Sequence, residues 1–396
     1  MKIKVAIINE RATVALGGAE RSAAELTDAL QQAGVDTHLI AATGQQVIAA
    51  NNIHILFPEK QTKRVSFLSF RNATIEHLQK NHYDIFHSFL PFDFADVYQP
   101  RGGTYTEAII RNAASFQNKL IGCLKRFTAF ANIRRTVLQK AEKKLCEKEN
   151  GPVIAALSNY VSEQFRKHYG LVSERIVIIP NGIKIDEIVV AADTLKIRSK
   201  IMEDFGEKQT DKATLFLFVA NNFRLKGLSA LINAIYLTKT KKPDSSIFLL
   251  VAGSDNPDKI KALAATLGIE KQIQFVNYVP DIQKLLEIAD VAVLPTFYDP
   301  SSRFILEAIA AGKPVITTRY NGASELLTNH RHGIIIDEPG NIEALSDAIL
   351  HFTNKDNLRK ASEAIKGDNL KERVSINRAA RQLIALYENI LERKKG

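Results

Sequence analysis

The run Val291-Ala292-Val293-Leu294, followed shortly by Asp299-Pro300-Ser301-Ser302-Arg303-Phe304-Ile305-Leu306-Glu307-Ala308-Ile309-Ala310-Ala311-Gly312, decides how this chain is built. Consecutive apolar residues without polar alternation mark a strand covered on both faces, and a loop leading into a helix follows it. The turn sets two carboxylates eight residues apart, Asp299 on the loop and Glu307 about two helical turns along. Free backbone N–H groups and the helix dipole attract an anion to such a helix start. The segment therefore suits a ligand with a phosphate at that point and hydroxyls on either side.

Outward from this segment the same alternation recurs. Strands are expected at Thr214 to Ala220, Ile247 to Ala252, Gln274 to Val279, Pro314 to Thr318 and Gly333 to Ile336, with helical segments between them. The first half opens with Lys4-Val5-Ala6-Ile7-Ile8, a loop to Gly17-Gly18, a helix with Ala19, Ala23, Leu26 and Leu30 on one face, and a strand at Thr37 to Ala41. That β-α-β unit commits the chain to a right-handed crossover and a parallel sheet. Asp84 to His87 and Val153 to Leu157 read as further strands. The fold class is α/β, with two doubly wound Rossmann-like domains. The first spans 1–180, with a basic segment at 101–150, and the second 181–375, the boundary lying near Ile179-Pro180-Asn181-Gly182. The polar stretch 186–211 reads as a connector. A C-terminal helix in 376–396 is expected to pack back on the first domain.

Composition bounds the classes. With 396 residues, 45% hydrophobic and 24% charged, the chain is long enough for two globular domains. Its two cysteines, Cys123 and Cys146, lack zinc or redox spacing, which points to a reducing compartment. No apolar run reaches the roughly 18 residues that span a bilayer, and Met1-Lys2-Ile3-Lys4 leads straight into a strand, so a cytoplasmic chain is expected. The net charge of +10 favours an anionic partner, and +7 of it lies between Arg101 and Asn150, where eleven Lys and Arg face four Glu. From Asn118 to Lys148 these cations interleave with Leu120, Ile121, Leu124, Phe127, Phe130, Ile133, Val137 and Leu138. The spacing fits a basic amphipathic helix on an anionic membrane, or equally a helix packed by its apolar face. A nucleic-acid-binding module is the rival that charge alone suggests, but no helix-turn-helix, RNA-recognition or finger motif occurs.

The chemistry-bearing residues follow the strands. Gly17 and Gly18 let a bound group approach the helix start, or are simply loop glycines; the pattern is not the G-x-G-x-x-G of dinucleotide sites. Arg224 and Lys226 follow the first strand of the second domain, where open α/β sheets bind ligands. They form a fork and a point charge suited to a diphosphate, or a solvated surface pair. Amides at Ser301, Ser302 and Arg303 are placed to hold a phosphate and Glu307 to accept from ribose hydroxyls. The plainer alternative makes Asp299 a helix cap and Glu307 a surface residue. His87 either touches a sugar or is a buried histidine satisfied by backbone. A sugar nucleotide is the ligand that unites these expectations.

Gly17-Gly18-Ala19-Glu20-Arg21, Ile179-Pro180-Asn181-Gly182, Arg224-Leu225-Lys226-Gly227 and the E-x7-E segment with Ala311-Gly312-Lys313-Pro314-Val315 together resemble the retaining glycosyltransferases of family 4. The resemblance implies the GT-B fold with an interdomain cleft, and a nucleotide-sugar donor, expected to be a UDP-sugar, held mainly by the C-terminal domain. Arg224 and Lys226 then meet the diphosphate and Glu307 the ribose. Asp299 stands at the first acidic position, usually Glu, beside the transferred sugar. No Asp-x-Asp occurs, and neither a metal nor a cofactor is expected.

The run to Asp96-Val97-Tyr98 and the segment to Lys167-His168-Tyr169 are similar to the lipopolysaccharide core glucosyltransferases of Gram-negative bacteria. This makes Asp96 a second catalytic candidate beside Asp299, its plainer role being a turn cap. The expectation is a retaining hexosyltransferase, peripheral on the inner face of the cytoplasmic membrane, moving glucose to a lipid-linked glycan such as lipopolysaccharide core. A glycosyltransferase acting on another polysaccharide or a soluble acceptor is the alternative.

Overall fold

Along the strand Lys4–Arg11 (β1), successive side chains face opposite ways, and both faces are buried: Val5 and Ile7 on one, Ala6 and Ile8 on the other. Val5 and Ile7 pack with Leu26 and Leu30 of helix Gly18–Gln32 and with Leu383, Tyr387 and Ile390 of helix Ile376–Lys395. Ala6 and Ile8 pack with Phe70 of helix Phe67–Lys80 and Leu138 of helix Ile133–Glu147. Full burial of such side chains is worth about 1.5–3 kcal/mol each, which is why a strand with two apolar faces demands helices on both sides.

The computed structural model describes residues 2–12, 18–44, 52–60, 64–185, 194–207, 212–276 and 282–395. They form two compact units, one of residues 1–113, 123–184 and 375–396, the other of 114–122 and 185–374. In the first unit β1 is joined by Asp36–Thr43 (β2), Ile53–Ile55 (β3), Ile85–Ser88 (β4), Val97–Tyr98 (β5), Val153–Ala156 (β6) and Ile176–Ile178 (β7). All pairings are parallel, in the order β3-β2-β1-β4-β5-β6-β7. The chain moves outward from β1 through β2 to β3, then returns to the other side of β1 at β4. β1 and β4 therefore flank a switch point, where diverging connections leave a gap at the carboxyl ends.

The returning helix Ile376–Lys395 is tied in where the chain crosses Pro180, Asn181 and Gly182. The Ile376 amide donates to Ile183 O at 2.8 Å, and Arg378 donates to the carbonyls of Pro180 and Asn181 at 2.8 and 2.9 Å. A Cβ on Gly182 would meet Ile376 Cα at 2.6 Å, so only glycine permits this approach.

In the second unit Thr214–Val219 (β8), Ile247–Ala252 (β9), Ile273–Val276 (β10), Val291–Leu294 (β11), Val315–Thr318 (β12) and Gly333–Ile336 (β13) form a parallel sheet in the order β10-β9-β8-β11-β12-β13. The same outward-and-return path makes β8 and β11 its switch point. The stretch 186–211, read from sequence as a connector, contains a helix, Thr194–Asp204. Met202 is wholly buried, Arg198 pairs with Asp290 at 2.8 Å and donates to Ile288 O, and Phe205 at the end of the helix packs on Phe248, so a polar segment is held by a few apolar and polar contacts. Residues 186–193 and 208–211, and the far end of the strand expected to Val279, lie outside the described residues.

Beneath the first sheet, Glu142 is wholly buried and accepts from Tyr98 Oη at 2.9 Å, Tyr169 Oη at 2.6 Å and the Tyr105 amide at 2.8 Å. Burial outweighs these bonds and pushes its carboxyl up to about 7 from the usual 4.5. The folded state thus retains a proton that the unfolded chain has released across that window, and this group's contribution to stability falls as pH rises through it. Glu142→Gln, isosteric with the protonated acid, should gain stability relative to the unsubstituted protein between about pH 5 and about pH 8; urea midpoints at the two pH values measure this. In the second unit, Gly227 has φ +81° and a Cβ there would lie 2.0 Å from Pro295 O. Gly227→Ala should destabilise by at least about 2 kcal/mol, read by chemical denaturation.

Candidate functional site

At the switch point of the second sheet, two loops meet. One follows β8 and carries Arg224 and Lys226; the other follows β11 and carries Asp299. Backbone bonds stitch them together, Phe297 N to Leu225 O at 2.9 Å, and the left-handed Gly227 lets the first lie directly on the second. Lys226 Nζ donates to Asp299 Oδ2 at 2.7 Å and to Tyr298 O at 2.9 Å. The ammonium and the carboxylate are 19% and 16% exposed, so the pair is desolvated enough to hold its geometry yet open to a ligand on one side.

The backbone of Asp299 is fixed by Asp299 N to Tyr320 O at 2.9 Å and Gly322 N to Asp299 O at 2.8 Å. The helix Arg303–Ala310 then starts with Ser302 as its cap residue. Two of the amides expected to meet a phosphate are already engaged: Ser301 N donates to Asp299 Oδ1 and Ser302 N to Asn321 Oδ1, each at 3.2 Å. Asn321, wholly buried behind β12, also accepts from Ala323 N at 3.1 Å. It organises this turn and was absent from the sequence expectations, its only signal being a turn-forming residue after a strand. Glu307 is 7% exposed, with Arg303 Nε donating to its Oε1 at 2.8 Å one turn earlier.

Arg224 is partly buried, which pulls its guanidinium's pKa down, and it lies over the Phe116 ring at 3.8 Å while donating to Ser115 Oγ. No spacing rule predicts this contact, because Ser115 and Phe116 precede Arg224 by over a hundred residues. The structure thus joins Arg224, Lys226 and Asp299 around the β8 and β11 loops and sets Glu307 on the helix that follows.

The first unit distributes its candidates differently. Gly17 lies outside the described residues, and Gly18 is the first residue of its helix. His87 is wholly buried, with Nδ1 2.6 Å from Tyr387 Oη, and burial holds its imidazole down at about 3, hence neutral. Asp96 stands at the amino end of β5, where its carboxylate accepts from Phe86 N at 2.8 Å and meets Lys394 Nζ at 2.7 Å. A parallel sheet offers ligands its carboxyl ends, so Asp96 is spent on joining β4, β5 and the C-terminal helix rather than brought beside His87's end of the sheet.

At those carboxyl ends, by contrast, a cavity of about 220 Å³ opens, lined among others by Glu10, Arg11, Arg64, Phe89, Arg101 and Tyr105. Arg101 Nη1 donates to Ser22 Oγ at 2.9 Å and to Asn181 Oδ1 at 2.8 Å, and its guanidinium lies 4.5 Å above the Phe89 ring. Asn181 therefore has a polar partner that its motif alone did not reveal.

A family model described as "Glycosyl transferases group 1" matches residues 199–366, and one described as "Glycosyltransferase Family 4" matches 16–187. The lipopolysaccharide glucosyltransferase WaaG of Escherichia coli (strain K12) is 27% identical over 288 residues, 72% of either chain. A D-inositol 3-phosphate glycosyltransferase of Pseudarthrobacter chlorophenolicus is 31% identical over 176 residues, 43% of this chain and 40% of that one. The crystal structure of WaaG is similar with a TM-score of 0.67 at 22% identity, covering 98% of both chains. That of Anabaena HepE in complex with UDP-glucose has a TM-score of 0.70 at 15% identity, covering 98% of this chain and 100% of that one. The fold is GT-B, the two family models together account for most of the sequence, and the chain belongs to the family 4, group 1 glycosyltransferases, retaining enzymes that draw on nucleotide-sugar donors.

Proposed function

We propose that the chain transfers glucose, with retention, from a UDP-sugar to a lipid-linked glycan of the lipopolysaccharide-core type at the inner face of the cytoplasmic membrane. The observation that carries the donor side is the Lys226–Asp299 pair at the β8 and β11 switch point, with Arg224 on the same loop as Lys226. A diphosphate entering there exchanges one anion for another: Lys226 turns from Asp299 towards phosphate, and Asp299, freed of its ion pair, accepts from a sugar hydroxyl. Glu307 serves the ribose. In the transfer step the bond from the anomeric carbon to the donor phosphate breaks, the acceptor oxygen bonds to the same face, and its proton passes to the departing phosphate oxygen. Lys226 and Arg224 matter most as negative charge builds on that oxygen.

The glucose, UDP and lipopolysaccharide parts of this reading are supported by the likeness to WaaG and to HepE. Lys226→Ala and Glu307→Ala should each lower transfer from UDP-glucose roughly a hundredfold or more while the circular dichroism spectrum stays that of the folded protein. Undiminished transfer by both variants would remove this site assignment.

Support for the membrane side comes from the helix Lys119–Phe127, where Leu120, Leu124 and Phe127 are 80%, 61% and 71% exposed beside Lys119, Lys125 and Arg126. Ile133, also exposed, begins the next helix, beside Arg134 and Arg135 in sequence. An exposed apolar face rimmed with cations fits an anionic leaflet. Among the described residues no helix is long and apolar enough to cross a membrane. The protein should float with phosphatidylglycerol vesicles and less so as Arg134→Glu/Arg135→Glu; failure of the unsubstituted protein to bind would favour a soluble acceptor.

A further inference from the structure

Arg224 meets residues that lie over a hundred positions earlier in the chain. Helix Tyr105–Ala114 gives way to the link 115–118, and helix Lys119–Phe127 follows. Ser115 and Phe116 stand in that link. With the rest of 114–122 they belong to the second unit, although the chain on either side of them belongs to the first. The link is pinned at its far end, where Asn118 Oδ1 accepts from Leu120 N at 2.9 Å and from Ile121 N at 3.3 Å and so caps the helix that follows.

The Arg224 guanidinium lies 3.8 Å above the centre of the half-buried Phe116 ring, a stacking contact closer than the 4.5 Å of Arg101 over Phe89. Ser115 Oγ, one residue before, accepts from Arg224 Nη1. The ring limits the tilt of the planar group and the hydroxyl limits its rotation. Stacking consumes none of the five N–H donors, because they radiate in the guanidinium plane while the ring lies on its face. Phe116 therefore holds the group without competing for the hydrogen bonds a phosphate would take. The backbone beneath is fixed as well: Leu225 N donates to Asn222 Oδ1 and Lys226 N to Asn222 O, each at 3.0 Å. What is left to order is the long Arg224 side chain, and ordering it in advance removes that cost from ligand binding.

We propose that Phe116 is a positioning residue of the donor site, its ring holding the Arg224 guanidinium ready for the donor diphosphate beside the Lys226 ammonium. The inference rests on the donor-site reading of Arg224 and adds the residue that aims it. Phe116 acts through Arg224 and has no effect without it.

The test is a double-mutant cycle on UDP affinity, read by calorimetric titration of the full chain. Phe116→Ala should weaken UDP binding roughly fivefold or more. Phe116→Tyr, which keeps the aromatic face, should bind UDP as the unsubstituted protein does. In Arg224→Ala, where Lys226 and Glu307 still hold UDP, adding Phe116→Ala should change nothing further. A merely structural Phe116 gives the same loss in both backgrounds, and that result would overturn the proposal. Undiminished UDP affinity in Phe116→Ala, or a loss in Phe116→Tyr as large as in Phe116→Ala, would overturn it too. Undiminished affinity in Arg224→Ala, or no UDP binding by the unsubstituted protein, strikes the donor-site reading itself, and the proposal falls with it.

Discussion

Parallel strands cannot be joined by tight turns, and this constraint governs where everything else in the molecule lies. Each strand must be followed by a crossover that returns the chain to the same end of the sheet. Wherever two neighbours send their crossovers in opposite directions, the loops part and leave a gap. Both sheets do this once, at β1 and β4 and at β8 and β11. The charged loop residues gather at these two gaps: Arg11 and Arg101 at the first, Arg224, Lys226 and Asp299 at the second. The site residues are thus placed by topology before any of them makes a specific contact.

How much of this was legible in the sequence depends on what kind of signal each element sends. Strands buried on both faces read as unbroken apolar runs, so Ile247 to Ala252, Val291 to Leu294 and Gly333 to Ile336 could be placed to the residue. β3, β5 and β7, of three, two and three residues, are too short to carry a period and were passed over or left unmarked. Helix Thr194–Asp204 has a polar sequence that reads as a connector, and its anchors, buried Met202 and the Arg198–Asp290 pair, are too few to form a period. At the sites, adjacency along the chain was readable and adjacency in space was not. The Lys226 and Asp299 loops could be paired because both follow strands of one sheet. The Arg11, Arg64 and Arg101 cluster, Asn321 under the helix start and Phe116 beneath Arg224 have no common sequence pattern to betray them.

Three carboxylates show how environment assigns different work to one chemical group. Asp96 is engaged by a backbone amide and a lysine at the amino end of its sheet. Glu142, buried among tyrosines, is lifted to about 7. Asp299, on a loop at the carboxyl ends, accepts from the Lys226 ammonium on one oxygen and from the Ser301 amide on the other.

The return of helix Ile376–Lys395 to the first unit bears on the order in which this protein can be completed during synthesis. Leu383, Tyr387 and Ile390 belong to the core built on β1, while the whole second unit apart from residues 114–122 lies between β7 and that helix. A ribosome moving from the N-terminus therefore finishes residues 185–374 before it delivers the side chains that seal the unit it began with. Until then the apolar face of β1, with Val5 and Ile7, lacks part of its cover. The second unit is in this sense ready before the first, although its sequence comes later.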